Sequence, residues 1–178
     1  MYRLVHILAI LLSVASGIML LPGAASAGVL DVTCSPPSSD TAIYDPPLTP
    51  TAQSSTLTAS TQYGPCLSTS VSGLTAGSRG AQNTSVRSCL DLLGAGTTTF
   101  TITWNTGQTS AVSGNRTTTI VGAALVVTIT GTVTSGLFAG DSVLQTVTGP
   151  SADVLLCTAG LGTVSSIYST VTLEITSI

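Results

Sequence analysis

The feature that most constrains the fold is a run of alternating residues between positions 97 and 134. Apolar side chains alternate with threonine around Ile102, and aliphatic side chains alternate with threonine again around Ile129. A period of two places each set on one face of a β-strand. Residues typical of turns interrupt the run at Asn105–Gly107, Gly114–Asn115 and Gly122. The run therefore predicts an antiparallel meander with hairpin turns at these three places.

Similar short alternating segments precede and follow this run, and threonine is abundant in the chain as a whole. β-branched residues suit strands, and no amphipathic stretch is long enough for a full-length helix. We expect one or two short helical turns, in Ser85–Leu93 and in Ser151–Cys157. The predicted fold class is all-β, an antiparallel β-sandwich or flattened barrel with about eight or nine strands.

The first 27 residues have the features of a secretory signal peptide. A positive start precedes an apolar run over Ile7–Leu21, and the small residues Ala25-Ser26-Ala27 follow. This pattern predicts cleavage before Gly28, leaving residues 28–178 as a single all-β domain. We expect the product to be secreted and extracellular, with no attachment to a membrane after cleavage.

Residues 35–50 contain five prolines. Proline cannot donate a ladder hydrogen bond, so we expect this segment to be an extended loop outside the central sheet. An alternative interpretation is an arm in the polyproline conformation that docks a partner. In either case, Tyr44 is the side chain expected to pin the segment to the domain.

The charged residues exclude several classes of function. The chain has no lysine, and beyond residue 27 only three arginines accompany seven carboxylates, with no histidine. So few cations cannot neutralise many phosphates, so nucleic acid is not an expected partner. Without histidine or lysine the usual activated nucleophiles are absent, and the sparse acids suggest neither a metal site nor a cofactor site. We expect the protein not to be an enzyme. We interpret Arg116 with Asp141, and Arg87 with the nearby Asp91, as candidate ion pairs that support the fold rather than a function.

Four cysteines follow the leader, namely Cys34, Cys66, Cys89 and Cys157. An even number in an exported chain implies two disulfides, for which three pairings are possible. We favour Cys34–Cys66 and Cys89–Cys157, because each bond then closes a separate part of the chain. The second bond would also pin the two expected helical turns to the sheet.

Three segments carry a resemblance to known proteins: Arg87-Ser88-Cys89, the segment 99–105 (TFTITWN) and the segment 131–141 (GTVTSGLFAGD). The chain resembles small exported actinobacterial β-proteins, similar in having a leader, four cysteines and a body rich in Thr, Gly and Ser. That resemblance implies no particular activity. A looser similarity, of composition and size, is to the apoproteins of enediyne chromoproteins, which are acidic, exported and immunoglobulin-like. It implies a cleft for a small aromatic ligand, although the cysteine spacing here is much wider.

Our first functional expectation is a secreted non-enzymatic protein that acts by surface contact, as a cell-surface component or an adaptor. Its partner would be another secreted or cell-surface protein. The alternatives are a small-ligand carrier and a carbohydrate-binding module, for which the single tryptophan would be a stacking platform. The candidate contact residues are Trp104, Tyr44 and Tyr63. For Trp104, however, the alternation favours a place in the core. The sequence indicates neither the partner nor the oligomeric state.

Overall fold

The structure is a computed structural model that describes residues 29–178. It contains ten strands and two short helices, and the predicted signal peptide lies outside the described residues. The strands are β1 (Leu30–Cys34), β2 (Ser39–Leu48), β3 (Gln53–Tyr63), β4 (Cys66–Ser68), β5 (Gly77–Arg87), β6 (Gly96–Trp104), β7 (Thr109–Val121), β8 (Ala124–Gly136), β9 (Ser142–Pro150) and β10 (Val164–Thr176).

Eight of the strands form a closed antiparallel barrel. Their order is β2-β3-β5-β6-β7-β8-β9-β10, and pairing of β10 with β2 closes the ring. Apart from the closing pair of β10 with β2, each strand of the ring is followed in the chain by its neighbour, and only the short β4 intervenes between β3 and β5. The barrel is therefore an up-and-down meander. The fold prediction is thereby confirmed in its barrel form.

β1 and β4 lie outside the ring of eight. β1 pairs with the last residues of β10, beyond the segment that contacts β2, and β4 pairs with β1. Cys34 and Cys66 face each other across this pair and form a disulfide. The first predicted pairing is confirmed.

A disulfide-linked cap covers one end of the barrel. It consists of a 3-10 helix, Cys89–Leu93, and the helix α1, Ala152–Thr158, joined by the Cys89–Cys157 bond. The second predicted pairing and the helical turn near residue 151 are therefore confirmed. The helical turn expected in Ser85–Leu93 begins only at Cys89, because residues 85–87 still belong to β5. Among residues 29–178, no helix is long and apolar enough to cross a bilayer.

The core consists of two apolar clusters, one towards each end of the barrel. One surrounds Trp104 and includes Ile102, Val133 and Leu173, all at most 2% exposed. The other lies beneath the cap and includes Leu48, Val154 and Val164. The second cluster also includes Tyr44, Leu125 and Ile167, which lie on the wall of the barrel.

The expectation that residues 35–50 form a loop or arm is wrong for Ser39–Leu48, which form barrel strand β2. Pro46 and Pro47 lie near the C-terminal end of β2, where its pairing with both neighbouring strands is irregular. The pairing of β2 with β3 stops at Asp45, and the pairing with β10 shifts register between Ile43 and Leu48. Pro46 and Pro47 thus occupy a bulge where no ladder donor is required.

Two further expectations are corrected. Gly114–Asn115 is not a turn but the middle of β7, where Gly114 pairs with Gly131 of β8. A Cβ on Gly114 would lie 2.5 Å from the backbone oxygen of Thr130, so the glycine permits close approach of two strands. The Gly- and Ser-rich composition of residues 74–82 likewise predicts an exposed loop, but residues 77–82 form the first half of β5.

Candidate ligand-binding cavity

The wall of the barrel is open between β5 and β6. These strands pair only at Gly77 with Trp104 and at Ser78 with Thr103, whereas β5 pairs with β3 over its whole length. Beyond Ser78 the strands separate. The chain between β5 and β6 contains the 3-10 helix. This helix is linked to α1 by the Cys89–Cys157 disulfide. It also contacts the β2–β3 loop through a hydrogen bond from Cys89 N to Thr49 O. The cap therefore holds the β5–β6 connection away from a closed ladder.

A cavity of about 200 Å³ lies inside the barrel behind this gap. Its wall is mostly apolar, formed by Leu57, Leu92, Leu125, Val127, Ile129, Val147 and Ile167. A second cavity of about 420 Å³ occupies the gap itself. The two are contiguous, because they share Tyr44, Leu57, Leu92, Thr98 and Arg116 in their walls. The combined volume of the two cavities is in the range that small organic ligands occupy in proteins, roughly 300–1,000 Å³.

Small residues create the inner space. Positions in the middle of the inner face carry Ala42, Ala59, Thr98 and Ser169, all of which line the inner cavity. Eight-stranded barrels are just wide enough for side chains to fill their interior, so small residues at one level leave room for a single small ligand.

Two polar residues of the inner cavity wall, Asp40 and Arg79, are linked through Thr61. The Thr61 hydroxyl donates to the Asp40 carboxylate and accepts a hydrogen bond of 2.9 Å from Arg79 Nε. The Arg79 guanidinium also stacks on Phe100, with its Cζ 4.0 Å from the ring centroid. These contacts hold the Arg79 side chain in one orientation inside the barrel.

Arg116 lies where the two cavities join. Its Nη2 donates to the backbone oxygen of Asp91 at 3.4 Å. The expected ion pair between Arg116 and Asp141 is wrong, since Asp141 lies beside Asp31. Burial, and then the charge of Asp31, raise the pKa of Asp141. Arg87 lines the outer cavity and donates to Asn83 and Ser85 rather than to Asp91, although its charge contributes to lowering the pKa of Asp91.

Of the three aromatic residues selected from the sequence, only Tyr44 lines the cavity, and it lines both parts. Its side chain is buried in the barrel rather than pinning a loop, and this burial raises the pKa of its hydroxyl, against the opposing effect of Arg87 and Arg116. Tyr44 therefore presents a neutral hydroxyl and an aromatic face to the cavity.

Trp104 and Tyr63 belong to the core. Each is 2% exposed. Trp104 Nε1 donates to Ser110 Oγ at 2.8 Å, and its ring packs against Tyr63 and edge-on against Phe138. Trp104 thus takes the core position that the alternation favours, and its face is covered rather than available for stacking on a sugar.

No family model, curated protein or solved structure matches this chain. Within residues 29–178, no three histidine, cysteine, aspartate or glutamate side chains are grouped so that they could hold a metal ion. The cavity combines an apolar wall with the side chains of Arg79 and Arg116.

Sequence reasoning missed Arg79 and Arg116 as cavity residues. Both lie on inward-facing positions of strands, where an apolar residue is the rule. The available signal was positional: Arg116 has the same parity along β7 as Val112 and Ile120, which places it on the same face of the strand. Arg79 carried no such signal, because β5 shows no alternation.

Proposed function

We propose that this protein is a secreted, non-enzymatic binding protein that holds one small molecule inside its barrel. The observation that carries the proposal is the cavity, which is contiguous with a gap in the wall between β5 and β6. An apolar enclosure with a few polar groups at defined positions is the common form of a small-molecule site. The two disulfides are consistent with an extracellular location.

A neutral fluorescent probe tests this function. N-phenyl-1-naphthylamine emits strongly only in apolar surroundings, and we expect the protein to bind it with a stoichiometry of about one to one. Ala59→Phe places a ring in the inner cavity and should abolish most of this binding. The matched control is Ser60→Phe, on the next residue of β3, whose side chain is exposed.

The outcomes separate clearly. Loss of binding in Ala59→Phe with retention in Ser60→Phe places the probe inside the barrel. Equal binding by both variants would place it elsewhere on the surface and contradict the proposal. Circular dichroism checks that Ala59→Phe is folded, and Ala42→Leu fills the same cavity from β2 if it is not.

Surface contact with another secreted or cell-surface protein is the second candidate function. One observation favours it: the cap exposes Leu90, Leu155, Leu156 and the neighbouring Leu161, the last by 75%. The proline-rich segment does not support it, because Ser39–Leu48 form barrel strand β2 rather than a free arm. Native mass spectrometry of the protein purified from culture medium distinguishes the candidates, through a small added mass for a carrier or a co-purifying chain for an adaptor.

A further inference from the structure

Every basic residue of the described chain lines the cavity. Arg79 lies in its inner part, Arg87 in its outer part and Arg116 in both. This part of the chain contains no lysine or histidine. Of its seven carboxylates, only Asp40 and Asp91 share these walls. An acidic protein therefore concentrates its positive charge in one recess with apolar walls.

Such a distribution favours an anion. Charge of one sign in a recess with low-dielectric walls attracts the opposite charge more strongly than the same residues do on an open surface. The guanidinium groups also have donors to spare. In the described residues, Arg79 and Arg116 each make one hydrogen bond, although each has five N–H groups.

We propose that the ligand is a small amphipathic organic anion, whose acidic group is bound by Arg116 and Arg79 and whose apolar body fills the barrel. This inference rests on the proposed function and specifies its ligand class. The apolar body is required by the aliphatic wall around Leu125, Ile129 and Ile167. A carboxylate or sulfonate matches the planar fork of an arginine.

The two arginines contribute unequally. Arg79 is linked through Thr61 to the carboxylate of Asp40, which offsets part of its charge. Arg116 is hydrogen-bonded to a neutral backbone carbonyl and lies at the junction of the two cavities. Arg116 is therefore the main anchor for the anion. Asp40 opposes binding, so Asp40→Asn, which retains an acceptor for Thr61, should strengthen it.

Two probes with the same aromatic body isolate the charge. 8-Anilinonaphthalene-1-sulfonate carries a sulfonate that N-phenyl-1-naphthylamine lacks. We expect Arg116→Gln to weaken binding of the sulfonate about tenfold or more and Arg79→Gln to weaken it less. Asp40→Asn should strengthen it about threefold. The affinity for the neutral probe should change by a smaller factor than the affinity for the sulfonate in all three variants, because the neutral probe carries no charge for these residues to act on.

Failure of this inference is distinct from failure of the proposed function. If neither probe binds the wild-type protein, both are overturned. If the neutral probe binds but Arg116→Gln and Asp40→Asn leave the sulfonate affinity unchanged, only the anionic ligand class is overturned.

Two controls complete the test. Arg116→Lys keeps the charge, so it should bind the sulfonate more tightly than Arg116→Gln, and equal affinities would contradict a charge-based site. Inorganic phosphate at the probe's concentration should not displace the sulfonate. Displacement would instead identify a site for a free inorganic anion and overturn the amphipathic ligand.

Discussion

A buried polar pair at the core end of the barrel provides a sharp test of the structure. Gln145 is fully buried, and its Oε1 accepts a hydrogen bond of 2.8 Å from the hydroxyl of Tyr63. Its Nε2 is buried without a hydrogen-bond partner among residues 29–178. Exchanging the two amide atoms would leave the oxygen unpaired instead. The wild-type core therefore retains the cost of one unsatisfied polar group, about 1–3 kcal/mol.

This arrangement predicts the order of stability of three variants. Tyr63→Phe leaves both atoms of the Gln145 amide unpaired and should lower the free energy of unfolding by about 1–3 kcal/mol. Gln145→Met removes the unpaired amide but leaves the tyrosine hydroxyl unpaired, so it should be close to wild type. The double variant buries neither group and should exceed the wild type by about 1–3 kcal/mol.

Urea unfolding followed by far-ultraviolet circular dichroism measures these differences, and thermal unfolding should show shifts of about 2–4 °C per kcal/mol. Gln62→Met is the matched control, because Gln62 is exposed, and it should change stability by less than about 0.5 kcal/mol. A double variant less stable than the wild type would refute the reasoning. It would mean that the amide nitrogen of Gln145 has a partner, such as a buried water molecule.

Three further predictions concern ionisation and the cap. Hydrogen bonds from Ser88 N and Oγ lower the pKa of Asp91. The stability that these bonds contribute is therefore present at pH values above 3.8, the ordinary pKa of the group, and is lost as the pH falls below it. Asp91→Asn should flatten this acid decline in urea titrations. Burial raises the pKa of Tyr63, so stability should fall as pH rises beyond 10.0, and less steeply in Tyr63→Phe. Replacing Cys89 and Cys157 with serine opens a loop of 68 residues and should lower the free energy of unfolding by about 4 kcal/mol. Urea unfolding measures this loss, and an unchanged midpoint would contradict the prediction.

Local patterns predicted the parts of the fold that depend on neighbouring residues. The alternation around Ile102 and Ile129 predicted β6 and β8, because the side-chain period of a strand is a property of the backbone. The pairing of Cys89 with Cys157 was also predicted correctly. That prediction depended on each bond closing a separate part of the chain, as Cys34–Cys66 and Cys89–Cys157 do.

The errors occurred where a residue's role depends on a distant strand. Prolines argued against a strand at residues 39–48, but a register shift against β10 supplies a place that needs no donor. Gly114 was read as a turn residue, although it serves the approach of a strand that begins at Ala124. The structural role of each residue depends on its partner strand, and the composition of the local segment does not reveal which strand that is.

The sequence by itself determined that this is a β-rich chain with two disulfides and very little positive charge, because strand periodicity, cysteine number and net charge are local or additive properties. Only the tertiary structure decided that the strands close into a ring, that the ring opens between β5 and β6, and that Arg79, Arg87 and Arg116 line one cavity. The physical reason is that closure pairs β2 with β10, more than a hundred residues apart. A cavity exists only once its opposite walls have been brought together.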